Sequence, residues 1–241
     1  MNNILVLFTG ELERMKKYHV LGASLVVSLI WIGVLYFTEI SDVSNIFPLL
    51  LYIDATSMSM LMIGVTMFFE KQEGTIKTLL VSPISKAEYI VAKALANIVS
   101  NIVTLFVLYL YAWFFKEIDI NLIGIFLAIV IVAFFHSLIG FMLTYYSKDF
   151  TDLLMGMMKY AFVMMVPVIL ETFGLISNNF IQKLLYAVPT KASMLLLQAS
   201  AGGIEAWEIY LSIAYLVIGS TLLYVIVSRK FDEFAAKESG V

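Results

Sequence analysis

The stretch Leu122–Tyr146, LIGIFLAIVIVAFFHSLIGFMLTYY, contains no Asp, Glu, Lys or Arg from end to end. Wound as an α-helix at about 1.5 Å per residue it reaches roughly 37 Å, more than the ~30 Å of hydrocarbon in a bilayer. A helix on a soluble protein's surface turns a charged stripe to water, and this one has none to turn. It reads as a membrane span, and the rest of the chain repeats its character. Of 241 residues, 61% are hydrophobic and 14% charged, with a mean hydropathy of +0.95, far outside the soluble range. Charge-poor stretches also cover residues 20–38, 46–69 with Asp54 inside, about 94–115, about 160–176 and 209–228, which together make six spans. That leaves no room for a soluble catalytic domain. The expected fold is an all-α membrane protein, one transmembrane domain over residues 1–241.

The charges beside the spans orient it. Arg14, Lys16, Lys17, Lys71, Lys77, Lys86, Lys93, Lys148, Lys159, Arg229, Lys230 and Lys237 fall on one side, and only Lys116, Lys183 and Lys191 on the other. The positive side is cytoplasmic, which puts both termini inside and agrees with an even number of crossings in a plasma (inner) membrane. In residues 1–18, Ile4, Phe8, Leu12 and Met15 recur at helical spacing between charged positions, the pattern of an amphipathic helix on the lipid surface. Its basic residues follow an apolar start, and no small-residue cleavage pattern follows the first span, so a signal peptide is not expected. Residues 177–208 are semi-apolar and broken by Pro189 and Gly202-Gly203. They suit short outer helices, one to about Val188 and one from Pro189 to about Ser200, that dip into the outer leaflet without crossing it. With no cysteine, disulfides, thiolate metal sites and a cysteine nucleophile are excluded. His19 and His136 are too far apart to suggest a local ligand pair, and the dispersed basic residues form no nucleic-acid-binding face.

The most informative inner segment is residues 70–93, EKQEGTIKTLLVSPISKAEYIVAK. Gly74 permits a sharp turn, and Thr75 can cap a short helix with Ile76, Leu79 and Leu80 on one face. Pro83 ends it. Ser85 with Glu88 makes a capping box for the next long helix. Glu73, Gly74, Thr75, Leu79, Leu80, Ser82, Pro83 and Lys93 stand in the order of the inner loop of type-2 ABC transporter permeases, which the chain resembles along its whole length. The resemblance implies that residues 70–88 form a coupling loop whose helix, Thr75 through Pro83, docks on a separate ABC ATPase. It also implies pairing with a second permease copy or a homologous permease. ATP and Mg would be bound by the ATPase. This chain has no Gly-x-x-x-x-Gly-Lys-Ser/Thr phosphate loop of its own and no expected cofactor or catalytic residue.

Inside the spans, Asp54 should face protein or a water-filled cavity, because a carboxylate at membrane depth is costly. It reads either as a group lining a substrate path or binding a cation, or as a hydrogen-bonded structural acid. Asn97, Asn101 and Thr104 make a polar stripe, and His136, Gly140 and Thr144 another, both better suited to holding helices together. Lys159 and Glu171 fit snorkelling to the interfaces, and Pro167 should kink the fifth span. Methionines crowd the second and fifth spans; Met58 and Met164, with Asp54, Asn97 and Asn101, are the candidate lining of a path for an amphiphilic drug, peptide or lipid. Two other readings remain open: a cation-coupled secondary transporter or channel using Asp54, and a membrane sensor or immunity scaffold without transport.

Overall fold

The computed structural model describes residues 3–37, 39–76 and 82–239, the last four by backbone alone. The long elements are all helices: α1 (Asn3–Lys17), α2 (Val20–Phe37), α3 (Phe47–Gln72), α4 (Lys86–Phe115), α5 (Leu122–Tyr146), α6 (Phe150–Thr172), α7 (Asn179–Leu185), α8 (Pro189–Gln198) and α9 (Ala206–Ser239). Six of them, α2 to α6 and α9, are long and apolar enough to cross a membrane, as the hydropathy pattern requires. The loop between α2 and α3 touches the loop between α4 and α5 through one short bridge of Asp42 with Glu117.

Helix α3 is the axis of the molecule, with 72% of its apolar window buried. Phe47, Leu51, Tyr52, Met60, Ile63 and Met67 are at most 1% exposed and Met62 is 4% exposed, so three of its methionines, Met60, Met62 and Met67, fill core. Pro48 sits in its first turn, where the missing N–H leaves no bond unmade. Against α3 lies α5, and the closeness of the two is set by Gly140. A Cβ there would stand 2.9 Å from both Cα and the carbonyl oxygen of Met60, so the backbones touch as small residues allow in lipid. The polar stripes are seams. Asn97 Nδ2 donates to Ser59 O at 3.1 Å and Ser137 Oγ at 2.7 Å, and Asn101 Nδ2 to Ser59 Oγ at 3.1 Å. His136 donates from Nδ1 to Val132 O at 2.9 Å, leaving Nε2 to accept from Tyr160 at 3.2 Å.

Several boundaries differ from the hydropathy reading, for one reason: charge marks where lipid begins, whereas caps and ladders decide where a helix ends. The third span starts at Lys86 instead of about 94, because Ser85 and Glu88 form the capping box, at 3.2 and 2.8 Å. The fifth starts at Phe150 instead of about 160, with Asp149 accepting from Asp152 N at 2.8 Å. The last continues past residue 228 to Ser239. In α6 the helix widens to an i→i+5 turn at Ala161–Met165, immediately before Pro167, which absorbs the ring that cannot join a regular ladder. Glu171 does not snorkel: it holds Lys191 at 2.6 Å, with about a tenth of each side chain exposed.

Residues 177–208 hold two short helices, as expected. Asn178 caps α7, and Pro189 opens α8 instead of merely breaking the chain. Their settings differ sharply. Every residue of α8 from Thr190 to Leu197 is buried in the fold, while Phe180, Ile181 and Leu184 of α7 are exposed.

Candidate functional site

Three helices meet at the root of the inner loop. Glu70, in the last turn of α3, is 1% exposed, and Lys93, two turns into α4, is 2% exposed. Their side chains pair at 2.9 Å. Glu11 of α1 is equally buried and holds the same ammonium at 2.7 Å. Arg14, one turn on, pairs with Glu11 at 2.9 Å and also with Glu70. Tyr89 donates to the second oxygen of Glu70 at 2.6 Å, and Thr66 lies 3.4 Å from the Lys93 ammonium. Two acids and two bases therefore balance with no charge left over, the condition for keeping ions inside a fold. Burial alone would raise the Glu11 carboxyl, yet the charges and hydrogen bonds of Lys93 and Arg14 hold it below its ordinary value.

The loop leaves this cluster in a defined direction. Gly74 takes a φ of 70°, open to glycine at little cost, and Thr75 donates back to the Glu70 carbonyl at 3.0 Å. Glu73 pairs with Lys17 at 2.8 Å; that hydrogen bond raises the lysine and lowers the carboxyl. Ile76, expected on an outward apolar face, is 3% exposed and packs with Met67, Tyr89, Ile90 and Phe231. Its side chain serves the fold's own core. Ser82 accepts from Ile84 N at 3.4 Å, and Pro83 is exposed. Leu79 and Leu80 lie outside the described residues.

The candidates within the spans are not gathered into one cavity. Asp54 is 3% exposed and turned toward α2, where Trp31 Nε1 donates to it at 3.3 Å. Met58 packs beside the junction of α1 and α2. Asn97 and Asn101 share the seam of α3, α4 and α5, and the carbonyl of Met164 accepts from Thr190 of α8. Sequence reasoning missed the buried cluster, because Lys93 was counted with the loop charges. The capping box was the available signal, since a helix starting at Lys86 carries Lys93 inward.

Along residues 3–239 the chain matches the model of the Fluoroquinolones export permease protein family. The chain belongs to that family. Among its relatives are the fluoroquinolones export permease proteins of two strains of Mycobacterium tuberculosis, each 26% identical over 233 residues, which span 96% of this chain and 95% of the relative. The resemblance of the chain to type-2 ABC exporter permeases is thereby borne out. This permease is a multi-pass export protein, and the ion cluster lies where the loop between α3 and α4 is rooted.

Proposed function

We propose that this permease is the membrane subunit of an ATP-driven exporter, working with a separate ABC ATPase that binds ATP and Mg, and paired with a second permease copy or a homologous one. It lies in the plasma membrane with both termini cytoplasmic. Its single domain comprises a surface helix at 1–18, the coupling loop at 70–88 and the outer re-entrant segment at 177–208. The cargo is an amphiphilic drug, in keeping with the fluoroquinolones in the relatives' name.

The observation that carries this reading is the charge-balanced cluster of Glu11, Arg14, Glu70 and Lys93. It ties α1, α3 and α4 at the two ends of one inner loop, so a push on that loop moves all three helices as a unit. Glu73, Gly74, Thr75, Ser82 and Pro83 shape the loop, Ile76 anchors it, and Leu79 and Leu80 supply the apolar contact to the ATPase. The path for cargo runs beside α3 and includes Asp54, Met58, Asn97, Asn101 and Met164. Replacing Leu79 and Leu80 together with Asp should abolish export and co-purification of the ATPase while the chain still inserts. Unchanged export by that double variant would remove the coupling assignment.

A further inference from the structure

Asp54 differs from the other acids set inside the fold in having no cation beside it among the described residues. Glu11 and Glu70 share Lys93 at 2.7 and 2.9 Å, and Glu171 has Lys191 at 2.6 Å. Asp54 is 3% exposed, yet among the described residues its hydrogen-bond partner is neutral: the Trp31 indole at 3.3 Å. A carboxylate in lipid-depth protein without a counter-charge is costly, and the fold removes that cost everywhere else. Helix α2, which supplies Trp31, lies against α4 through hydroxyl contacts, Ser24 to Ser100 at 2.6 Å and Ser28 to Thr104 at 3.3 Å. Its other face, with Leu25, Val26, Leu29 and Ile30, is exposed. On the α2 side Asp54 thus meets a half-buried indole on a helix seated by small side chains.

We propose that Asp54 and Trp31 form the binding site for the positively charged amine of an amphiphilic cargo, which enters from the α2 side. The chemistry selects the ligand class. An inorganic cation such as Ca²⁺ or Mg²⁺ needs about six oxygen ligands, whereas what stands at hydrogen-bond distance from this carboxylate among the described residues is an indole. A protonated amine needs one carboxylate and gains from the face of an indole, while Met58, one turn along α3, offers a deformable apolar wall for the rest of the molecule. The inference names the cargo class for the export reading above, and it is tested without the ATPase, so that the two stand or fall separately.

The experiment measures binding of rhodamine 6G, a monocation, and Nile red, a neutral dye, to the purified full-length permease in lipid nanodiscs by fluorescence polarisation. Asp54→Asn should weaken rhodamine 6G at least tenfold and leave Nile red within twofold, and Asp54→Glu should restore most of the loss. Equal rhodamine 6G affinity in Asp54→Asn and wild type, or equal loss for both dyes, would overturn the assignment. Should the asparagine variant not be recovered folded, the wild-type protein decides. Dicyclohexylcarbodiimide adducts at Asp54, mapped by peptide mass, should be suppressed by rhodamine 6G and not by Nile red, and protection by neither dye, or by both alike, counts against the proposal.

Discussion

Lys93 compensates two carboxylates at once, and its removal is the sharpest perturbation available at the level of single residues. Lys93→Met leaves Glu11 and Glu70 sharing Arg14 alone, and breaking a buried ion network in this way costs about 3–5 kcal/mol. The purified variant should unfold at correspondingly lower denaturant or temperature. Adding Glu11→Gln restores a one-to-one balance of Arg14 with Glu70 and should recover a large part of the loss; a double variant no better than Lys93→Met would show that charge balance is not what holds the cluster. The same cluster sets a pH dependence. The Glu11 carboxyl is held below its ordinary value of 4.5, so its contribution is complete above that pH and is lost as pH falls through the lowered folded value. The difference in thermal midpoint between wild type and Glu11→Gln should be flat from neutral pH to about 4.5 and should close below it. A difference that persists undiminished in stronger acid would show that Glu11 is not ionised in the fold.

Among the helices, the pairing of α3 with α5 depends on an absent side chain. At Gly140 even a methyl group meets the backbone of Met60 at 2.9 Å, and backbone cannot step aside as a side-chain tip can. Gly140→Ala should destabilise the bundle by about 1–3 kcal/mol, the cost of overpacking. By contrast, Gly33 of α2 has nothing within 4 Å of an added Cβ, and Gly33→Ala should be neutral or mildly favourable through helix propensity. Equal midpoints for the two alanine variants in a detergent unfolding assay would contradict this contact. Runs without charge mark both spans, but that position 140 lies at the point of closest approach depends on how the two helices cross.

For the whole molecule, the arrangement to be tested is topology. Six spans with α7 and α8 on the outer side put the Gly202 turn outside and the end of α9 inside. A tag inserted at Gly202 should be reached from the medium in intact cells, and one after Val241 only after the cells are opened. Labelling of both tags in intact cells, or of neither, would overturn the arrangement. Lys191 is central to it, because a full crossing by the outer segment would carry this residue through the bilayer. Its pairing with Glu171 at 2.6 Å ties the buried α8 to the end of α6 instead.

The sequence by itself determined the solvent, the six spans, the capped start of α4 at Ser85 and the pair of short helices around Pro189. Each of these follows from a pattern local to the chain: a run without charge, a capping spacing, a residue that cannot continue a ladder. It also held the order of residues in the inner loop by which the family was legible. Only the tertiary structure decided which charges face one another. Read along the chain, Glu11 and Arg14 belong to a surface helix and Glu70 and Lys93 to a loop, and they become a buried, balanced cluster because three helices converge. The same convergence turned Ile76 inward to the fold's own core. It left Asp54 as a buried acid without a basic partner among the described residues, since whether an acid finds a base depends on the packing of helices far apart in sequence.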